Sequence, residues 1–169
     1  MAENEQVTTY EQVFDWFYSL VEKDYEFFHY YSVTPEEAMK IAQDRAAQYL
    51  EEAVSTIIMS AFPQVDFMSR SEDGKGFNFG FTPQERILIP SLMHQRYLYR
   101  DFSYLKTREV NYTSSDLKVF DPSNARYSFN DMYEKISNEN DRLLDTYKNT
   151  DRLTGKFRMF DPKKYDISE

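Results

Sequence analysis

Two short phrases, Thr34-Pro35-Glu36-Glu37 and Thr82-Pro83-Gln84-Glu85, constrain this chain more than any other feature it has. In each, a threonine stands where a helix N-cap would, proline takes the first helical position, and a glutamate lies three residues after the cap. Such a capping box satisfies two orphan backbone donors reciprocally, and proline is harmless where no amide bond is made. Thr8 with Glu11 is a third, less complete instance. Only 4 glycines and 6 prolines interrupt the 169 residues, so these starts predict long helices.

Apolar spacing fills the helices in. After Thr8, the residues Tyr10, Val13, Phe14, Phe17 and Leu20 recur every three or four positions and predict a first helix over roughly 9–29. A second runs from about Pro35 to Phe62, with Ala38, Ile41, Ala42, Arg45, Tyr49, Ala53, Ile57 and Met59 near one face and Pro63 as its stop. Its alanines invite close approach of a neighbouring helix. A third runs from Pro83 towards Arg108, with a kink expected at Pro90. A last long helix is expected from about Ser128 to Lys148, its stripe of Phe129, Met132, Tyr133, Ile136, Leu143, Leu144 and Tyr147 interrupted by Asn140. A buried asparagine needs partners, so either Asn140 has them or that seam faces another protein.

Residues 64–81 change character. Gly74, Gly76 and Gly80 fall there, and Phe77, Phe79 and Phe81 alternate with Asn78 and Gly80. A period of two predicts a short β-hairpin or an extended loop, and a lone two-stranded ribbon must lie on helices or on a neighbouring subunit. A short helix is expected over Ser115–Phe120, ahead of Asp121-Pro122. After Gly155 the chain reads as an arm. The fold expected is mainly α: a bundle of about four helices over 1–148, with the excursion at 64–81 and an extended C-terminal arm over 149–169.

Composition narrows the chemistry. There is no cysteine, which removes disulfides, thiolate metal sites and cysteine nucleophiles. Net charge is −9. Residues 1–62 hold three basic side chains (Lys23, Lys40, Arg45) against twelve acidic ones, while residues 63–169 are balanced. An acidic excess is a poor start for gripping DNA phosphates. The opening Met1-Ala2-Glu3-Asn4-Glu5 is acidic rather than a basic signal region, and no apolar run approaches the roughly 18–20 residues that span a bilayer. A soluble chain that stays where it is made is therefore expected, with no membrane partner.

No motif carries a reaction. Glu26 and His29 have the Glu-x-x-His spacing of di-iron bundles, but the only other histidine, His94, has Ser91 three residues before it. Neither histidine sits where a serine nucleophile needs its base. Asp73-Gly74-Lys75-Gly76 lacks the layout of a phosphate loop and reads as a turn. The pairs Glu36/Glu37 and Glu51/Glu52 are neighbours on helix surface rather than convergent. The chain is expected not to be an enzyme and to hold no cofactor or metal.

Two surfaces remain. Arg86, Arg96, Arg100, Lys106 and Arg108 form a basic run interleaved with Tyr97, Tyr99, Phe102 and Tyr104. Basic plus aromatic residues suit single-stranded nucleic acid, yet pairing with the acidic first third, within one chain or between subunits, explains both halves of the charge asymmetry. Near the end, Arg152, Lys156, Arg158, Lys163 and Lys164 surround Phe157, Met159 and Phe160. A chain end that apolar folds back or docks on a partner.

The stretch from the kinked helix Ile87–Arg108 through Tyr112-Thr113-Ser114-Ser115-Asp116-Leu117-Lys118-Val119-Phe120-Asp121-Pro122-Ser123-Asn124-Ala125, the Glu- and Asn-dotted helix, Tyr147 and the turn Asp151-Arg152-Leu153-Thr154-Gly155 resembles a family. It is similar to small head–tail connector (adaptor) proteins of tailed bacteriophages, especially those of Gram-positive hosts, over roughly residues 34–160. The resemblance implies a virion neck protein, made in the host cytoplasm. Such proteins form a ring beneath the portal, commonly of twelve copies, with DNA crossing its channel. On that reading Arg96, Arg100, Lys106 and Arg108 meet a subunit or the DNA channel, and Phe157, Met159 and Phe160 form an arm that docks on portal, tail or neck proteins. The alternatives are another small virion component, an acidic DNA mimic acting through Glu11, Asp15, Glu22 and Asp24, or a helical metalloenzyme.

Overall fold

Both proline-bearing caps form. Thr34 Oγ1 accepts the Glu37 amide at 3.3 Å while the Glu37 carboxylate accepts the Thr34 amide at 2.9 Å, and the Thr82/Glu85 pair does the same at 3.3 and 2.7 Å. The third cap is shifted by one residue: Thr9 and Gln12 exchange the reciprocal bonds at 3.1 and 3.2 Å. Thr8 is buried instead, its Oγ1 accepting the Phe81 amide at 2.8 Å. The computed structural model describes residues 7–21, 25–28, 30, 32–109 and 122–158, with side chains except at 25–26, 101–109 and 122–128. Within them lie α1 (Tyr10–Val21), α2 (Tyr25–Phe28), α3 (Pro35–Ala61), α4 (Pro83–Glu109) and α5 (Pro122–Asn149). The protein is mainly helical, as the pattern predicts.

Several boundaries and faces differ from expectation. The single first helix is two described pieces, α1 and the four-residue α2. On α1 the buried set is Val13, Phe17 and Val21, and Leu20 turns to solvent; a strict four-residue step selects Val21. Met59 likewise stands outside the buried face of α3, which is carried by Ala38, Ala42, Ala46, Tyr49, Leu50, Ala53, Val54, Ile57 and Ala61. Pro90 lies buried inside α4 without ending it. Helix α5 begins at Pro122, ahead of the expected Ser128, because proline's fixed φ suits a first helical position. The helix expected over Ser115–Phe120 lies outside the described residues.

Helix α4 is the centre of the packing, with α1, α3 and α5 against it. Contacts 52 to 100 and 56 to 96, and 91 to 140 and 95 to 137, show that α3 and α5 both run antiparallel to α4. The segment over 62–82 has isolated bridges (Arg70 to Phe77, Thr9 to Gly76) and no β-strand pair among the described residues. Its partner is the chain's own start: Thr8 and Phe79, Thr8 and Phe77, and Tyr10 and Lys75 share backbone hydrogen bonds of 2.9–3.1 Å. The alternating Phe77, Phe79 and Phe81 all turn inward with Phe67, in edge-on and tilted pairs 4.8–6.1 Å apart. Such aromatic pairs contribute roughly 0.5–1.5 kcal/mol each beyond burial. Gly76 is required here, since a Cβ would meet the Thr8 carbonyl oxygen at 2.5 Å.

Asn140 has its partners. It is buried, its Oδ1 accepts from Ser91 Oγ at 2.6 Å, and its Nδ2 donates to the Ser91 carbonyl and to Gln95 Oε1 at 3.1 and 2.8 Å. Gln95 in turn donates to Ser137 Oγ at 3.0 Å. The interruption in the α5 stripe therefore sets the register of α5 on α4.

Candidate functional site

One carboxylate that capping placed at the start of α4 gathers four hydrogen bonds. Glu85 closes the α4 capping box, and the same side chain is fully buried. Arg152, from the turn after α5, grips it with two prongs: Nε to Oε1 at 2.8 Å and a terminal nitrogen to Oε2 at 3.1 Å. The Tyr147 hydroxyl donates to Oε1 at 2.9 Å, and the Thr82 amide donates to Oε2. Four donors fill the acceptor sites of one carboxylate. Burial first, and the Glu85 charge second, hold the Tyr147 phenol above its ordinary range, so it stays a donor. A saturated carboxylate of this kind has no lone pair left for a substrate or a metal. It locks the turn onto the body.

That turn is closely built. The Asp151 carboxylate accepts from the Thr154 amide and hydroxyl, both at 2.8 Å, and from Gln64 at 3.4 Å. These bonds hold it below the usual carboxylate range, the Thr154 amide foremost. Gly155 takes the left-handed φ of 65°, and a bridge joins Thr150 to Phe157. The sequence divides the chain at 148/149 into body and arm; α5 runs to Asn149, and the first arm residues are pinned back by Arg152.

Of the expected contact residues, Arg96 and Arg100 both reach α3 of their own chain. Arg100 pairs with Glu52 at 2.9 Å, donates to Gln48 at 3.0 Å and lies 4.8 Å over the Tyr49 ring. Arg96 donates to Thr56 at 3.1 Å and lies 3.8 Å from Glu52. This is the pairing of basic run with acidic first third, made within one chain. Their side chains stay 42 and 44% exposed, and surface pairs of this kind contribute about 0–1 kcal/mol each. The side chains of Lys106 and Arg108 lie outside the described residues, as do Met159, Phe160, His29 and the Glu26 side chain. Phe157 is described, and it stands 71% exposed.

The sequence pattern missed other exposed apolar residues beside it. Leu153 is 82% exposed on the pinned turn. Phe62 and Met59, at the end of α3, are 69 and 78% exposed. Gln64 bonds both Asp151 and the Arg152 amide, and Lys148 Nζ lies 5.8 Å from the Phe62 ring. The end of α3, the end of α5 and the turn thus meet at one end of the bundle. A signal existed: Phe62 follows the helix directly, at a position where helices prefer glycine or asparagine.

Among the described residues no group of three or more His, Asp or Glu side chains is placed to hold a metal ion, and no helix is long and apolar enough to cross a membrane. Comparison of the chain with protein-family models, with curated proteins and with solved structures finds no match.

Proposed function

We propose that this chain is a structural assembly protein, and in particular a head–tail adaptor of a tailed bacteriophage that forms a ring between portal and tail, without chemistry of its own. The observation that carries the reading is the contrast between a bonded interior and an apolar end. The buried polar side chains Glu85 and Asn140 are consumed in locking helices and turns, whereas Leu153 and Phe157 stand in water on a turn that is itself held rigid. Rigid, exposed apolar anchors with a cationic surround suit protein contact, since little ordering entropy is lost when they dock. Of the residues that carry the phage resemblance, Asp151 to Gly155 form that turn. The bonds of Arg96 to Thr56 and Glu52, and of Arg100 to Glu52 and Gln48, favour a subunit-edge role for these arginines over contact with DNA in a channel, with the main contact at the apolar end.

Size-exclusion chromatography with light scattering, on the chain alone and mixed with portal protein, tests the reading, with electron microscopy of any assembled fraction. A ring or a portal complex is the expected result. A monomer indifferent to portal refutes it. Competition with DNA for a basic enzyme, lost on neutralising Glu11, Asp15, Glu22 and Asp24, would favour the DNA-mimic alternative instead.

A further inference from the structure

Among the described residues two that are not glycine take a left-handed φ, Ser32 at 63° and Phe62 at 46°, and Phe62 is the bulky one. It caps α3 at φ 46°, ψ 67°, in the left-handed region, where a bulky side chain is disfavoured and glycine or asparagine sits freely. Burial does not offset that strain, because Phe62 is 69% exposed, with Lys148 Nζ 5.8 Å from its ring. Strain of this sort clusters at functional sites, which makes an exposed, strained aromatic a candidate contact. Met59, one turn earlier on the same face, is exposed with it. Lys148 stands beside the Phe62 ring, and over the end of α5 and its turn the exposed cations Lys148, Lys156 and Arg158 outnumber the carboxylates Asp145 and Asp151, of which Asp151 already accepts from Thr154 and Gln64.

The other end of α3 is its complement. Val33 and Met39 are exposed there beside Glu36 and Glu37, with Asp44 a turn or two on and Lys40 the sole cation among them. At about 1.5 Å per residue the 27-residue helix holds these two ends roughly 40 Å apart, too far to meet within one molecule. We infer that the Phe62 end of one copy, with Met59 and Lys148, docks on the Val33–Met39 end of a second copy, in a head-to-tail contact. This rests on the assembly reading above and names its surfaces. A heterologous contact of this type closes into a ring if the rotation permits and otherwise grows as a filament.

The test is sedimentation velocity of the full chain over a concentration series, paired with thermal melts at a concentration low enough that the chain is monomeric, since association by itself raises the midpoint. Phe62→Asn should weaken association roughly tenfold or more, as loss of a central aromatic does, while the melting midpoint holds or rises because asparagine tolerates the left-handed cap. Met59→Gln should weaken association with the midpoint unchanged. Glu36→Lys and Lys148→Glu should each weaken it, and the two combined in one chain should restore it. Assembly that ignores these substitutions overturns the contact and leaves the assembly reading intact. A Phe62→Asn midpoint that falls also overturns it, since Phe62 would then serve its own fold. So does association that appears only in a chain ending at Arg158, which would put the last eleven residues on the patch. A chain that stays monomeric with and without portal removes both proposals.

Discussion

Replacing Arg152 with methionine isolates the lock between the C-terminal turn and the helical body. The substitution keeps most of the side-chain volume and removes the charge. Glu85 then remains fully buried with two donors, the Thr82 amide and the Tyr147 hydroxyl, in place of four. Removing one partner of a buried pair destabilises by about 3–5 kcal/mol, because the other charge is left uncompensated. The Arg152 bond to the Gly80 carbonyl at 2.6 Å and its position 5.1 Å over the Phe79 ring disappear too, which places the effect towards the upper end. For a domain of this size each kcal/mol moves the melting midpoint by roughly 2–4 °C, so a fall of about 6–20 °C is expected. Glu85→Gln is the milder change. The amide oxygen can still accept from Tyr147 or the Thr82 amide, and Arg152 lies on a surface turn from which it can swing to water. Combining both substitutions should recover part of the Arg152→Met loss, with a coupling energy of about 2 kcal/mol or more from a urea-denaturation cycle. The pair is then read as a lock and not as two independent contacts. Single effects under 1 kcal/mol, or strict additivity, would refute the reasoning.

Other consequences are more local. Gly76→Ala forces a Cβ onto the Thr8 carbonyl oxygen and should destabilise by about 1–3 kcal/mol in thermal denaturation, undoing the pairing of residues 8–10 with the loop. Asn140→Leu should cost about 1–3 kcal/mol by stranding Ser91 and Gln95 on α4, and urea titration reads it directly. The Tyr18 hydroxyl is buried with no hydrogen-bond partner among the described residues, so Tyr18→Phe should be neutral or stabilise by up to about 1 kcal/mol. Burial first, and Asp15 second, push the Tyr18 phenol up to about 12 from 10.0. A raised folded-state value means stability is intact below pH 10 and declines as pH rises through 12, because the unfolded chain ionises first. Tyr18→Phe should flatten that alkaline decline in melts between pH 9 and 12.

Reading residues in order recovers what depends on near neighbours alone. Thr34 to Glu37 and Thr82 to Glu85 are satisfied within one helical turn, so their caps form as the order of residues dictates, and the alanine face of α3 follows from a 3.6-residue repeat. The inward alternation of Phe77, Phe79 and Phe81 was legible for the same reason, but the strand of support they lean on was not. It comes from Thr8 to Tyr10, nearly seventy residues away. The partners of Asn140 and, within the chain, of Arg96 and Arg100 follow from which helices lie beside α4, since a polar side chain's partner is a matter of distance in space. Glu85 shows the division most clearly. Its capping role is written in four consecutive residues, while its burial under Arg152 and Tyr147 exists only because α5 returns antiparallel to α4 and its turn closes over the start of that helix. The exposure of Phe62 and Leu153 is likewise a tertiary fact: apolar residues advertise burial along the chain, and only the packed bundle decides which of them are left outside it.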